Sequence, residues 1–318
     1  MDTSLRPASL LAERLRSGTF AITAEITPPL SCNPDDVTSK ATPLRGLADA
    51  VNVTDGAGAR AHMSATAAAF FLIQAGIEPV LQFTCRDRNR LALQSSLLGA
   101  AAVGIRNVLL LGGDDPSAGD QPDTKAVFDL DSRRLIETAR IMRDRRELPN
   151  GKAIAGEPQF FIGAADMPVD PPPDWRPDAL RGKIAAGAQF VQTQFCMDTG
   201  IVRRYVGRLR DDGITDQLGI LIGIAPLRSA RSARWMRHHL FGTVIPDAIV
   251  ARMDGAADPA QEGRRIAVEL MQEFAQIPGV AGVHLMAPGN DAAVPDVIAA
   301  FRERSAVDLK ESEHQRQR

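Results

Sequence analysis

The feature that most constrains this chain is a regular alternation of short apolar runs with longer segments of helical period. Runs such as Val-Leu-Leu-Leu at 108–111 are apolar on both faces, which is typical of buried parallel strands. The pattern predicts eight strands, over residues 20–26, 50–54, 79–84, 107–111, 159–164, 189–194, 219–224 and 280–286. Helices are predicted between and after them, over residues 62–75, 88–103, 131–145, 178–186, 201–211, in several stretches before about residue 277, and over 294–302.

Eight strand–helix units within 318 residues favour a closed (β/α)8 TIM barrel of the α/β class, whose usual size is roughly 250 residues. The alternative is an open, doubly wound sheet. No Gly- or Ser-rich linker divides the chain, so we predict a single domain over residues 1–318 with a core of about 18–304. An amphipathic helix within residues 1–18, a helical extension before the last strand and a polar tail at 309–318 complete the prediction.

Composition argues against several classes of function. The formal net charge of −2 provides no basic field for nucleic acid. The three cysteines, Cys32, Cys85 and Cys196, are odd in number and far apart. This spacing argues against a disulfide framework and fits a reducing, cytoplasmic compartment. The most apolar stretch, residues 67–73, is much shorter than the ~20 residues of a membrane span, and the first 18 residues lack the apolar core of a signal peptide.

In a barrel of this kind the working residues lie at the carboxyl ends of the strands. That rule selects Glu25, Thr54, Asp55, Gln82, Thr84, Gly113, Asp114, residues 164–166, Gln194, Pro226 and Met286. No cluster of His, Cys and Asp has the spacing of metal ligands, and no Gly-x-Ser-x-Gly turn occurs. We therefore predict neither a metal site nor a serine nucleophile.

Glu25 is the strongest single candidate, because it lies within an otherwise apolar strand and is followed by Pro28 and Pro29. A glutamate in that position is unfavourable unless it reaches a cavity or a partner. Burial favours the protonated form of a carboxyl group, which a general acid requires. The alternative interpretation is a salt bridge at the end of the strand.

At three other candidate positions, an ordinary structural role explains the sequence as well as a functional role does. Gly112 and Gly113 allow the backbone before Asp114 to approach a bound ring closely, but an ordinary Gly-Asp turn has the same sequence. Lys183 lies where it could meet a phosphate, or it is a solvated helix charge. Gln194 ends an apolar strand, where its amide needs either a polar heterocycle or a neighbouring strand as partner.

In their order along the chain, these segments resemble the methylenetetrahydrofolate reductase family, over roughly residues 18–304. The resemblance rests on the order and spacing of short motifs across eight units. The matching residues are Glu25 with Pro28 and Pro29, Val53-Thr54 with Gly56, Phe83-Thr84-Cys85, Gly113-Asp114, Lys183 with Ala186-Gly187-Ala188, Thr193-Gln194-Phe195, Gly223-Ile224 with Pro226, Ile245-Pro246, and Gly282-Val283-His284.

The resemblance implies an FAD-binding barrel that interconverts 5,10-methylenetetrahydrofolate and 5-methyltetrahydrofolate with NADH or NADPH. It implies that Glu25 is the general acid that helps to open the five-membered folate ring to an iminium ion. Asp114 would stabilise that cation and tune the flavin, and Gln194 and Phe195 would hold the folate. The neighbouring residues Asp55 and Arg86 are added to the residues that the resemblance implies for the cofactor site. The predicted site then comprises Thr54, Asp55, Gln82, Arg86, Gly113, Asp114, Phe128, Ala164 and Lys183.

The chain departs from the family pattern where FAD is expected to bind. Gln82 stands where the family commonly has histidine, and Gly112 where it has an arginine that helps to hold FAD. The family's Tyr–His pair after the fifth strand has no clear counterpart here. Arg86 and Arg88 could take over phosphate contacts, or they form a solvated helix start.

Alternative functions therefore remain open. One is a flavin-free reductase in which NADH passes its hydride directly to the folate. Another is a pterin-binding methyltransferase-type barrel that feeds a corrinoid partner. A third is a non-catalytic folate-binding subunit that needs a partner chain. The sequence leaves open a homo-oligomer and the choice between NADH and NADPH.

Overall fold

The computed structural model describes residues 9–316, with side chains for residues 9–305, and its centre is a barrel of parallel strands. The strands are β1 (Ala21–Ile26), β2 (Ala50–Val53), β3 (Pro79–Thr84), β4 (Asn107–Leu111), β5 (Phe161–Asp166), β6 (Phe190–Phe195), β7 (Gly219–Ile224) and β8 (Val280–Leu285). Each strand pairs with the next, and β8 pairs with β1 from Ala21↔Gly282 onward, which closes the barrel. The predicted TIM barrel is confirmed, and the alternative of an open sheet is wrong.

Helices surround the barrel. They are α1 (Leu10–Arg16), α2 (Pro34–Ala41), α3 (Ala65–Gln74), α4 (Arg90–Ala102), α5 (Ser132–Arg145), α6 (Asp178–Ala186), α7 (Thr199–Asp211), α8 (Ala230–His239), α9 (Asp247–Asp254), α10 (Pro259–Ala275) and α11 (Val294–Arg316). The predicted helical extension before the last strand is α8–α10. Of the helices described, none is both long enough and apolar enough to cross a membrane.

The ends of the chain differ from the prediction in extent. α11 continues past residue 302 and includes most of the predicted polar tail, whose residues 317–318 lie outside the described residues. The predicted amphipathic helix within residues 1–18 is α1, and residues 1–8 likewise lie outside the described part of the chain.

Several internal boundaries differ from the prediction by two or three residues, and local contacts account for two of them. β5 begins at Phe161 rather than at 159, because Phe161 pairs with Asn107 at the start of β4. α3 begins at Ala65 rather than at 62, because the backbone N–H of Met63 donates to the carbonyl oxygen of Pro29 at 2.9 Å and so holds the preceding loop away from helical geometry.

α1 closes the amino-terminal end of the barrel. Leu11 and Ala12 are fully buried, and the carboxylate of Glu78 accepts the backbone N–H groups of Leu10 and Leu11 at 2.8 and 2.9 Å. This satisfies donors that a helix start leaves unpaired. The two buried side chains join an inner core formed by Ala21, Ala50, Val80, Leu109, Phe161, Phe190 and Leu221.

One glycine makes room for this inner core. The rings of Phe161 and Phe190 are stacked with centroids 5.0 Å apart. A Cβ at Gly163 would lie 2.3 Å from Cζ of Phe190, so the phenyl ring occupies the space that a side chain at 163 would need. Apolar side chains therefore fill this inner core, and Asn107 at the start of β4 is a buried polar group at the same end, bonded to Ser9 and Glu78.

Candidate active site

Glu25 lies on β1 at the mouth of the barrel, with 22% of its side chain exposed. The side-chain amide of Gln82 on β3 donates to its Oε2 at 2.9 Å, and Nε2 of His284 lies 3.6 Å from the same oxygen. No described residue donates a hydrogen bond to Oε1. One carboxyl oxygen is thus held by the protein, and the other is free for a ligand.

A buried polar network lies below Glu25. Asn52 and Gln192 exchange two amide hydrogen bonds of 2.6 and 3.0 Å across the barrel interior. Gln192 also donates to the hydroxyl of Thr23 at 2.9 Å, and that hydroxyl lies 2.9 Å from Nδ1 of His284. All four side chains are buried, so polar groups reach deep into the barrel in a connected, hydrogen-bonded form.

Sequence reasoning gave no role to these four residues. Asn52 and Gln192 each interrupt an apolar strand two residues before a polar residue at the strand end. Side chains two residues apart on a strand lie on the same face. The pairs Asn52 with Thr54 and Gln192 with Gln194 therefore indicate a polar layer that faces the barrel interior.

The β2–β3 side of the mouth is held by Asp55. Its carboxylate accepts the N–H and the hydroxyl of Thr84 at 2.9 and 3.0 Å, and Nη2 of Arg88 lies 2.6 and 2.7 Å from its two oxygens. The guanidinium of Arg88 also lies over the ring of Phe83, 5.5 Å from its centroid. Next to Asp55, the Thr54 hydroxyl is buried and has no hydrogen-bond partner among the described residues.

Arg86 is buried and its donors are used within the protein. It donates to both carboxylate oxygens of Asp87 at 2.7 Å, to the carbonyl of Gly56 at 3.2 Å and to that of Asp114 at 3.5 Å. The bond to Asp87 raises the pKa of Arg86. Four of its five N–H donors are thus engaged within the protein, which leaves one Nη1 hydrogen for the expected phosphate contact.

Gly113 and Asp114 follow β4 and connect neighbouring loops. Gly113 has φ of +98°, and a Cβ there would lie 2.9 Å from Cβ of Arg86 and 3.0 Å from Cβ of Thr84. Asp114 is exposed, and its carboxylate accepts the N–H of Gly58 at 2.9 Å. The close backbone approach that Gly113 allows is used here by side chains of the protein itself.

On the β5 side, Lys183 of α6 donates to the carbonyl oxygen of Ala165 at 2.5 Å. Its neighbour Asp166 accepts a hydrogen bond from the hydroxyl of Tyr205 on α7. Burial raises the pKa of Asp166, while the Tyr205 hydrogen bond and the charge of Lys183 oppose the rise. Burial and the Asp166 charge raise the pKa of Tyr205 well above its ordinary value.

The two predicted folate residues, Gln194 and Phe195, and two of the predicted cofactor residues, Ala164 and Phe128, lie in different environments. Gln194 lies at the mouth, where its amide donates to the carbonyl of Phe241 at 3.1 Å, and the Phe241 ring is 83% exposed. Phe195 and Ala164 are buried in the core between barrel and helices. Phe128 lies in the loop before α5, about half exposed, with φ of +42°.

Several of the residues predicted to hold FAD already have hydrogen-bond partners within the protein, although Asp55 and Arg86 also line an open cavity. The carboxylate of Asp55 and the guanidinium of Arg86 are used within the protein. Lys183 binds a carbonyl, and neighbouring side chains lie where a side chain at Gly113 would be. Of the described members of this set, Thr54 alone offers a buried, unpartnered polar atom. As arranged, this donor set does not fit FAD.

Neither the buried thiols nor the acidic side chains of the described residues form a thiolate or metal centre. Burial raises the pKa of Cys85 and of Cys196 to about 11, so neither thiol is a thiolate near neutral pH. Among the described side chains, no group of three or more His, Cys, Asp or Glu is placed to hold a metal ion. Beside Glu25, the chemistry available is that of its carboxyl group with amide and imidazole partners.

Fold and site together define a (β/α)8 barrel with a carboxyl group at its mouth above a polar interior. The protein-family model described as methylenetetrahydrofolate reductase matches residues 10–301. The chain belongs to this family, as its sequence motifs indicated.

Relatives with assigned names agree. A probable methylenetetrahydrofolate reductase (NADPH) of Caenorhabditis elegans is 31% identical over 175 residues, covering 54% of this chain and 24% of that protein. Methylenetetrahydrofolate reductase 1 of Schizosaccharomyces pombe is 26% identical, over 70% of this chain and 35% of that protein. A probable methylenetetrahydrofolate reductase (NADH) of Oryza sativa is 25% identical, over 66% of this chain and 35% of that protein. The matches thus span only about a quarter to a third of these relatives' length.

Solved structures share the fold at low identity. A Clostridium thermocellum protein, described as binding two copies of 5-methyl-5,6,7,8-tetrahydrofolic acid, superposes with a TM-score of 0.59 at 13% identity, over 94% of this chain and all of that one. DmoA from Hyphomicrobium sulfonivorans superposes with a TM-score of 0.52 at 11% identity, over 90% of this chain and 88% of that one.

Proposed function

We propose that this protein reduces 5,10-methylenetetrahydrofolate to 5-methyltetrahydrofolate with NADH or NADPH, at the barrel mouth beside Glu25. The observation that carries the proposal is the hydrogen bonding of the Glu25 carboxyl group. Gln82 donates to Oε2, and no described residue donates to Oε1. Family membership supports the reaction, and relatives named as NADPH and NADH enzymes support the electron donor. The folate-binding C. thermocellum structure supports the substrate class.

In this proposal Glu25 is the general acid. Its proton passes to a ring nitrogen of the folate, the C–N bond of the five-membered ring breaks, and an iminium ion forms. A hydride from the nicotinamide then adds to the iminium carbon and yields the methyl group. The amide of Gln82 holds Oε2 and stabilises the carboxylate that remains after the proton has left.

For the route of the hydride, direct transfer from NAD(P)H to the folate is the first candidate. It is supported by the contacts that Asp55, Arg86 and Gly113 make within the protein, which occupy polar atoms and space that FAD would use at these residues. The FAD-dependent form of the reaction is the second candidate. The observation that favours it is the buried, unpartnered hydroxyl of Thr54, which a bound ring could satisfy.

One set of measurements separates these functions. The purified chain is examined for flavin absorbance before and after titration with FAD, and NADH oxidation is followed with and without the methylene folate. Folate-dependent NADH oxidation without flavin supports direct transfer. Flavin that binds and is reduced by NADH in the absence of folate supports the FAD-dependent form.

A third result contradicts the proposal. If the chain binds 5-methyltetrahydrofolate but oxidises neither NADH nor NADPH, the reductase function is wrong. A methyltransferase-type barrel or a partner-dependent folate subunit then accounts for the site. Size-exclusion chromatography of the same sample records the oligomeric state on which that comparison depends.

A further inference from the structure

We propose that His284 is a positioning residue that fixes which oxygen of Glu25 carries the transferable proton. In this proposal the ring presents an Nε2–H to Oε2 of Glu25, 3.6 Å away, and leaves the acidic proton on Oε1. The inference rests on the proposed function only where it treats Glu25 as the acid. The state of the His284 ring itself follows from the buried network.

The hydrogen bonds of the network favour one tautomer of His284. The amide nitrogen of Gln192 has two hydrogens, and they are directed to the hydroxyl of Thr23 at 2.9 Å and to Oδ1 of Asn52 at 3.0 Å. Because the Thr23 oxygen accepts from Gln192, its own hydrogen is available for Nδ1 of His284 at 2.9 Å or for the carbonyl oxygen of Val283 at 3.3 Å. The shorter distance favours Nδ1, and so does the amide nitrogen of Gln192, a donor that lies 3.4 Å from Nδ1. A neutral imidazole that accepts at Nδ1 carries its one proton on Nε2.

The strands hold these groups in register. Thr23 pairs with His284 in the β1–β8 ladder, and Glu25 pairs with Asn52 in the β1–β2 ladder. Thr23 and Glu25 are two residues apart on β1, so both side chains point into the barrel. The ring of His284 therefore lies between the Thr23 hydroxyl at Nδ1 and the Glu25 carboxyl at Nε2.

This arrangement makes the two oxygens of Glu25 unequal. Oε2 accepts from Gln82 at 2.9 Å and faces His284, so hydrogen donors occupy its surroundings. A separation of 3.6 Å is longer than a hydrogen bond, and such contacts at active sites tighten when the charged form develops. Once the proton has left Oε1, both donors stabilise the resulting carboxylate. His284 thus acts through Glu25 and does not need to touch the substrate.

The first test reads the tautomer directly and requires no activity. Protein labelled with ¹⁵N-histidine is examined by NMR, and the His284 signals are assigned by their loss in His284→Gln, since the chain has five histidines. We expect an unprotonated Nδ1 and a protonated Nε2. Thr23→Val removes the hydroxyl donor to Nδ1 and should mix the tautomers, whereas Thr23→Ser keeps the hydroxyl and should restore the original spectrum.

The second test is kinetic. In His284→Gln we expect kcat to fall about tenfold or more while KM changes little, a smaller loss than the 10²–10⁴-fold that general acid catalysis contributes. His239→Gln is the matched control, because His239 is exposed on α8 and stacks on Trp235. Thr23→Val should lower kcat in the same direction, and Thr23→Ser should recover it.

The outcomes separate this inference from the proposed function. An Nδ1–H tautomer in the wild-type protein, with the Thr23 hydroxyl donating to the carbonyl oxygen of Val283 instead, overturns the inference even if the reductase activity is present. An Nε2–H tautomer that Thr23→Val shifts supports it even if no reductase activity is found. If His284→Gln does not fold, the Thr23 pair provides the same comparison. Equal losses of kcat in Thr23→Val and Thr23→Ser would also overturn it.

Discussion

The side-chain amide of Gln82 on β3 donates a 2.9 Å hydrogen bond to Oε2 of Glu25 on β1, across the intervening strand β2. Sequence reasoning placed these residues in separate roles, with Gln82 among the cofactor contacts and Glu25 as the acid. The structure joins them into one unit. Because an amide donates without carrying charge, Gln82 orients the carboxyl group in its protonated and its ionised form alike.

Replacement of the acid should abolish folate reduction and leave binding intact. In Glu25→Gln we expect kcat for folate-dependent NADH oxidation to fall by about 10²–10⁴-fold, because the amide cannot supply the proton. Dissociation constants for folate and NADH, measured by titration calorimetry, should change little. Glu137→Gln is the control, since Glu137 is 53% exposed and lies on α5. Full activity in Glu25→Gln would rule out the proposed acid.

The buried hydroxyl of Thr54 should have opposite effects on stability and on ligand binding. Thr54→Val replaces a polar atom that lacks a described partner by a methyl group of similar size. We expect the free energy of unfolding to stay constant or rise by about 1 kcal/mol, because an unsatisfied buried hydroxyl is lost. Ligand affinity at the mouth should fall by roughly tenfold, as one hydrogen bond is removed. Urea unfolding and a binding titration measure both effects. A clear loss of stability would show that the hydroxyl already has a partner in the free protein.

Gly163 should tolerate no side chain while Phe190 is present. Gly163→Ala places a Cβ where the phenyl ring lies, 2.3 Å from Cζ, and should lower the free energy of unfolding by about 1–3 kcal/mol. The double variant with Phe190→Leu should recover part of this loss, since the smaller side chain vacates the space. Gly207→Ala on α7 is the matched control: no atom lies within 4 Å of the added Cβ, and a helical alanine should stabilise by roughly 0.5–1 kcal/mol. Equal behaviour of the two alanine variants in urea would contradict the packing argument.

The single tyrosine should resist ionisation for as long as the protein is folded. The folded-state pKa of Tyr205 is raised by burial and by Asp166, so the folded protein keeps a proton that the unfolded chain loses near pH 10. The folded state then binds more protons than the unfolded state, and stability falls as the pH rises above about 10. Because Tyr205 is the only tyrosine, tyrosinate absorbance reports this group alone. Its rise should coincide with loss of far-ultraviolet circular dichroism, and an earlier rise would contradict the burial argument.

Removal of the same hydroxyl has a separate consequence. Tyr205→Phe leaves the buried carboxyl group of Asp166 without its hydrogen-bond donor from α7. We expect a loss of about 1–3 kcal/mol in the free energy of unfolding at neutral pH. The alkaline decline in stability should become shallower in this variant, because the titrating group is gone.

The sequence predicted the barrel and the position of Glu25 for local reasons. Apolar runs alternating with helical segments indicate buried parallel strands. A glutamate near the carboxyl end of such a strand is expected to lie at the mouth of the barrel. The predictions for Ala164 and Phe195 show the limit of this reasoning. β5 extends two residues beyond Ala164, so that residue does not end its strand, and its side chain packs toward the helices. A register shift between β6 and β7 lies between Gln192 and Phe195, and Phe195 is likewise buried in the outer core.

By itself, the sequence determined the eightfold alternation, the family and the acidic group at the mouth, because each depends on local composition and order. Tertiary structure alone decided the partners of those groups. The bonds from Arg88 to Asp55 and from Gln192 to Asn52 join residues 33 and 140 positions apart. Such contacts depend on barrel closure and strand register, which no local pattern encodes. Barrel closure also buries the apolar face of α1 against the inner core, at the end of the barrel opposite the polar site.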